Sequence, residues 1–459
     1  MKKINFRTVV ITYASFCVML LVSCSDFVEV DLPPSQLTSQ TVFEDPTTAN
    51  AAISSIYAGM RDAGLFSGNL GGLSNNMGLY ADELDFYRQD INYLYQNALF
   101  SSQSDAKFYW NQGYSFIFSA NAVIQGVTNA QALTTAERNR MLGEALFIRA
   151  FVHFYLNEMY GGVPYVKTTD YTVNRSLSRL SYEEALAKVR EDLINAIALL
   201  EGNGMPSERT RPGKTAAMAL LARASLYAGL WEEASLYATA VIDDPAMQWV
   251  DDLSLLFLKD SPATIWQFSP ATSAFNTLEA DLFIFESGPP PTMALTPSLI
   301  AAFESGDQRR EVWIREITDG TSLWYHPYKY KLRSGSGSQL EYSIVLRLSE
   351  QFLIRAEART KLGDVAGGLE DLNKIRTTAG LPATITQDQQ ELVAKIIRER
   401  RVELFTEFGH RFFDLKRTGQ LDSALQGLKP GWNTTDALFP IPADELSLNP
   451  NLSPQNPGY

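Results

Sequence analysis

The sequence predicts a mainly α-helical protein, built on paired helices, with an irregular loop-rich half and a few short strands. Three observations carry this. Apolar residues recur at helical spacing over most of the chain. A small-residue helix, a Gly turn and a return helix occur twice, at 227–234 and within 348–382. Between these copies, residues 251–339 lose the helical period and show short alternating runs instead.

Composition bounds the function. A chain of 459 residues with 45% hydrophobic and 20% charged residues is ordinary globular material. By length alone it holds about three domains, or one large helical assembly. Its formal charge is −13. Residues 1–23 carry Lys2, Lys3 and Arg7 and no acid, so a chain beginning at Cys24 has 36 bases against 52 acids, a net −16. That balance argues against nucleic acid and against an anionic membrane surface as partners. With only Cys17 and Cys24, no disulfide framework or thiolate metal cluster is available. His153, His326 and His410 are far apart and form no metal-ligand spacing; an all-oxygen calcium site stays open. No cofactor motif is present. GKTAAM at 213–218 lacks the GxxxxGK[ST] pattern of a phosphate loop.

The N-terminus reads as an address. Residues 1–23 have a basic start, an apolar run and small residues at the end, the layout of a secretory signal. Leu21-Val22-Ser23-Cys24 resembles a bacterial lipobox, in which cleavage precedes a cysteine that then receives diacylglycerol. The acidic run Ser25-Asp26-Phe27-Val28-Glu29-Val30-Asp31 resembles a surface-export signal for such lipoproteins, and residues 24–44, with Pro33 and Pro34, read as an extended tether.

The elements follow in order. Asp45-Pro46 opens a helix through Ala52, Ile56 and Met60. Five glycines between Gly64 and Gly78 predict a long pliant loop. Residues 79–100 are crowded with aromatic and charged side chains and lack a sustained period, so exposed rings are expected there. Helices follow at 110–127 and 135–160, the second with His153 among Phe151, Phe154 and Tyr155 as a core histidine. Ser181 with Glu184 forms a capping box for the next helix. Runs at 263–270, 311–317 and 323–332 alternate as strands, Pro297 opens a short helix, and SGSGS at 334–338 is a loop. Trp110, Trp231 and Trp266 fall in periodic stretches and read as core. Residues 392–419 form an amphipathic helix with interleaved charges, including an Arg400–Glu403 pair, a stop at Gly409 and a second short helix. The Pro- and Asn-rich tail, with a turn of helix at 443–446, reads as an extended wrap.

In combination, TTANAAISSIYAGM, EALFIRAFVHFYLNEMYGGVPYV, LSEQFLIRAEARTKLGDVAGGLEDLNKIRTTAGLP, RERRVELFTEFGHRFFDLKRTG and the FPIPADELSLNPNLSPQNPGY ending resemble the SusD/RagB family of Bacteroidota outer-membrane lipoproteins, across essentially the whole chain after the signal. The resemblance implies a SusD-like fold of four tetratricopeptide-like helix pairs with the irregular half laid over them. It divides the chain into a signal peptide (1–23), a tether (24–44) and one intertwined unit (45–459) with parts 45–250 and 251–459. It implies a surface-facing outer-membrane lipoprotein that performs no chemistry. Such a protein binds a nutrient, usually an oligosaccharide, and passes it to a SusC-like TonB-dependent barrel. It also makes the charged 392–419 stretch scaffold, a partly buried ionic lattice including Glu399, Arg411, Asp414 and His410.

Sugars present flat C–H faces to aromatic rings and hydroxyls to carboxylates, amides and Arg. Phe86, Tyr87, Tyr93 and Tyr95 are therefore expected as platforms, with Asp82, Asp85 and Arg88 as polar partners and Phe275, Trp324 and Tyr325 as further contributors. Two other classes stay open at this point: a helical glycan-degrading enzyme, which needs two carboxylates across a cleft, and a tetratricopeptide scaffold that binds only proteins. Cys24→Ala is expected to release the protein from the membrane fraction; unchanged detergent partitioning of the variant would contradict the lipobox.

Overall fold

The computed structural model describes residues 42–459 apart from Ala63, Ser67 and Pro430; the signal peptide, Cys24 and nearly all of the tether lie outside these residues. The first described residues are already packed. Phe43 is buried, and its ring lies where a side chain on Gly126 would stand.

The helices are α1 (Pro46–Asp62), α2 (Leu73–Tyr80), α3 (Ser104–Asn129), α4 (Thr135–Tyr160), α5 (Tyr182–Leu199), α6 (Lys214–Tyr227), α7 (Trp231–Ile242), α8 (Leu348–Lys361), α9 (Val365–Thr378), α10 (Gln389–Glu403) and α11 (His410–Arg417), with shorter turns between. From α3 to α10 each helix packs on the next, and α10 also packs on α8 and α11. The pairs α4/α5, α6/α7, α8/α9 and α10/α11 form the four tetratricopeptide-like units, and α3 covers α4. Local chemistry sets the helix starts. Thr134 with Glu137 and Ser181 with Glu184 close capping boxes on α4 and α5, and Asp388 accepts the Glu391 N–H at 2.7 Å to begin α10. Gly229 and Gly363 turn α6 into α7 and α8 into α9 at φ +70° and +93°, a region costly for side chains with a Cβ. Every residue of α6 after Lys214 is buried, and five of its fourteen are Ala, which lets its neighbours approach closely.

The irregular half carries six short strands as three antiparallel pairs. β1 (Leu84–Phe86) pairs with β3 (Met293–Leu295), β2 (Thr264–Phe268) with β6 (Ser343–Arg347), and β4 (Ile314–Thr318) with β5 (Leu323–Pro327). Trp266 on β2 inserts edge-on against Phe147 and Phe151 of α4, with centroids 5.0 and 5.2 Å apart, and so joins the two halves in one core. Trp110 is likewise buried, whereas Trp231 is half-buried and packs on the core from outside. His153 is a core histidine: Nδ1 meets the Arg149 carbonyl at 2.8 Å, Nε2 accepts the Val166 N–H, and its ring stacks on Tyr165. The tail wraps the body as expected, with Phe439 and Ile441 fully buried.

Two expectations are corrected. The glycine-rich segment is not loop throughout: residues 73–80 form α2, all eight of them buried, because Leu73, Met77 and Tyr80 fall on the core. The Arg400–Glu403 pair does not form. Arg400 turns to Asp414 at 2.7 Å, while Glu403 is gripped by Arg347 at 2.6 Å and Arg309 at 2.9 Å. Tertiary partners in a dry interior outcompete a neighbour on the same helix face, whose pairing is worth only about 0.5 kcal/mol.

Around Glu403 a buried lattice extends. Arg309 also binds Asp307 and Glu399, Arg376 binds Glu399 and Glu304, and Glu407 binds Arg347 and Lys329. Burial opposes the charge on Glu403, but Arg347 and Arg309 more than offset it and hold the carboxyl down to about 2, below its ordinary 4.5. A depressed folded value means the contribution is complete above about pH 4.5 and is lost as pH falls toward 2, on the order of 3 kcal/mol. Urea midpoints measured down through that window should fall steeply. Glu403→Gln should start less stable and fall less; an unchanged pH slope would contradict the lattice.

Candidate functional site

The segment 79–100 is built outward from the lattice. Asp82 is buried, and the Arg411 guanidinium grips it with Nε at 2.7 Å and Nη2 at 2.9 Å while Arg401 adds a contact at 2.8 Å. Burial opposes the Asp82 charge, and Arg411 and Arg401 more than offset it. Its carbonyl accepts the Thr296 hydroxyl, and Thr296 N–H bonds the Glu83 carbonyl. These contacts fix the start of β1 against β3, in the register Leu84↔Leu295, Asp85↔Ala294 and Phe86↔Met293. The ladder runs one step further, with Tyr87 N–H bonded to the Thr292 carbonyl at 2.8 Å.

Past that point the side chains emerge. Tyr87 is exposed, and the Trp324 side chain of β5 lies within hydrogen-bonding reach of its hydroxyl. The Trp324 ring lies on the backbone of Gly288, where a Cβ would come within 1.9 Å of it. Gly288 is thus the one residue type that seats this indole. Phe86 and Tyr95 rings sit 6.2 Å apart, and the Tyr95 hydroxyl donates to Asp85 at 3.2 Å. Lys429, from the far end of the chain, caps the Tyr95 ring at 3.9 Å while donating to the Leu79 carbonyl. Burial lowers the Lys429 ammonium to about 8, partly countered by Asp85 and Asp82. Asp85, Phe86, Tyr87, Tyr95 and Trp324 therefore form one ledge.

The remaining candidates fall elsewhere. Tyr93 packs edge-on against exposed Phe100 at 5.6 Å, further along the same segment. Arg88 pairs with Asp90 in solvent. Tyr325 is half-buried under Arg310, 4.6 Å above its ring. Phe275 is exposed on the 269–277 loop beside Gln339 and joins no ring of the ledge. Asp82 is buried beneath the ledge, with both carboxylate oxygens held by Arg401 and Arg411.

Two clefts are lined by residues that neighbour the ledge segments in the chain. One, of about 600 Å³, is lined by Ile91, Asn92 and Leu94 from the segment after Tyr87 and by Asn76, Phe108 and Gln112 among others. The second, of about 430 Å³, is lined by Phe285, Ser287, Pro289 and Thr292, the residues around Gly288 and Tyr87. Leu70, exposed, lines both. Each volume suits a small ligand. Sequence reading missed Leu70, Gly288, Thr292 and Lys429, which lie up to hundreds of positions from Tyr87 and carry no local pattern. Gly288, in a Gly-Pro-Pro-Pro run, was the one available signal.

Comparison with known proteins adds the family context. A profile described as "Starch-binding associating with outer membrane", of SusD-like type, matches residues 26–226, and the SusD family profile, SusD_RagB, matches residues 309–459. The chain is 27% identical to SusD-like protein P2 of Formosa agariphila, over 97% of this chain and 99% of that one, and 25% identical to SusD-like protein P38 of the same organism, over 80% and 82%. Among solved structures, a SusD superfamily protein from Bacteroides vulgatus superposes with a TM-score of 0.79 at 22% identity, over 91% of this chain and 100% of that one. A laminarin-binding SusD-like protein superposes with a TM-score of 0.74 at 22% identity, over 90% and 99%. These structural likenesses concern the fold.

If Asp82 and its arginines are scaffold, Arg411→Ala should lower stability by about 2–3 kcal/mol, since Arg401 still shields the buried carboxylate. Chemical denaturation measures this. A variant that melted normally would contradict the assignment.

Proposed function

Because the chain belongs to the SusD/RagB family, we propose that it is a surface lipoprotein of the outer membrane. It binds a nutrient oligosaccharide on the Tyr87–Trp324 ledge and delivers it to a SusC-like TonB-dependent transporter without chemical conversion. The observation that carries the ligand reading is the ledge itself. An exposed tyrosine and a half-buried indole stand side by side, on a strand pair anchored from below. Stacking of sugar C–H faces on such rings needs them exposed and rigid, and the Gly288 seat and the Asp85–Tyr95 bond supply rigidity. The first cleft offers amides for hydroxyl groups, with Asn92, Asn111 and Gln112 on its wall.

The lipobox at Cys24 and the family support the membrane part of the reading. No helix among the described residues is long and apolar enough to cross a membrane. The laminarin-binding relative supports glycan as the ligand class.

Tyr87→Ala should weaken binding of the protein's glycan about tenfold or more while leaving the melting temperature unchanged. Calorimetric titration beside thermal melting separates the two. Equal affinity in the variant would move the site off the ledge, and turnover of glycan by the purified protein would replace binding with catalysis. Purification from native membranes in mild detergent should bring down a large β-barrel protein; its absence would count against the transporter pairing.

A further inference from the structure

We infer that the oligosaccharide held on this ledge is uncharged, and that carboxylated and sulfated glycans are turned away by the charge of the two clefts. This rests on the ledge being the binding surface.

An anionic glycan needs cations with free N–H groups facing it. Among the described residues, most cations along the ledge and clefts are engaged. In the first cleft Lys107 is paired with Asp444. Beside Tyr87, Arg88 is paired with Asp90 at 2.9 Å. Arg310 lies over Tyr325 and faces Glu316 at 3.8 Å. Lys429 is spent on the Leu79 carbonyl and the Tyr95 ring. Arg333, on the second cleft, is the most available, and even it stands 4.0 Å from Asp281 on the same wall.

Two carboxylates are not matched in this way. Asp105 lines the first cleft with Gln103 as its hydrogen-bond donor, and burial with no countering cation raises its carboxyl. Glu286 lines the second cleft, exposed, and forms no ion pair among the described residues. Asp85 on the ledge accepts the Tyr95 hydroxyl, and Lys429 counters part of its charge, so it is matched. Each cleft thus carries one carboxylate without an ion-pair partner among the described residues, Asp105 in the first and Glu286 in the second. A uronate or sulfate placed there meets like charge at close range in a partly desolvated cleft. Neutral hydroxyls, by contrast, donate to these carboxylates, and the amides of the first cleft serve the remaining lone pairs. The net charge of −13 adds a long-range field of the same sign.

The test is a panel of immobilised neutral glycans (laminarin, starch, xyloglucan, mannan) beside polygalacturonate, alginate and carrageenan, read at low and high salt with the whole chain from Cys24. Binding should fall among the neutral glycans and change little with salt. The neutral ligand should then be oxidised at C6 to the uronate, which should weaken it about tenfold or more. Glu286→Lys, an exposed position, should restore part of that loss. Preferred binding of an anionic glycan, with affinity falling as salt rises, would overturn the inference while leaving the ledge as the site. Failure of Glu286→Lys to help the oxidised ligand would also count against charge as the cause. Binding of no glycan of either class would overturn the ledge reading itself.

Discussion

The contact on which this structure most depends is the grip of the 399–417 arginines and carboxylates on the rest of the chain. Glu403 is held by Arg309 from the irregular half and by Arg347 from the end of β6, so one carboxylate ties α10 to two distant segments. Arg417 binds Glu357 of α8 and Asp414, and Arg223 of α6 binds Glu350 of α8 through both oxygens. Charges this deep are costly to bury singly, and most of them meet more than one partner. The stack of helix pairs and the loop-rich half are therefore locked by pairing that admits one register, beyond what apolar burial alone would select.

The same lattice reaches the candidate ligand surface. Arg401 and Arg411 come from the last repeat, yet the group they hold is Asp82, two residues before β1. That grip sets where β1 meets β3, and the ladder that starts at Leu84 ends in Phe86 and Tyr87. Scaffold and candidate ligand surface are thus in series: the ionic corner lies beneath the ledge, and it decides where the rings stand. Rigid presentation reduces the entropy lost on binding, which is the physical reason for building a flexible aromatic segment on so stiff a base.

Much of this was legible beforehand, and the failures share one cause. Capping boxes at Thr134 and Ser181, the Gly229 and Gly363 turns and the core position of His153 are local patterns, and local patterns survive in a single sequence. The crowded aromatics of 79–100 pointed to the ledge. What could not be read was which charges meet. Arg400 looked like a partner for Glu403 and found Asp414; Asp82, expected at the ligand, meets Arg401 and Arg411. Long-range pairing across hundreds of positions leaves no periodicity. The same holds for Lys429 and Gly288, whose roles exist only once Tyr95 and Trp324 are placed against them.

The account's central claim is that one lattice-anchored ledge receives the ligand. A crystal structure of the protein with its bound oligosaccharide tests this most directly. The account predicts a sugar ring stacked on Tyr87 and Trp324, with its neighbours extending toward the clefts on either side of Leu70. Sugar density on the helix-pair side, with Tyr87 and Trp324 unoccupied, would contradict it.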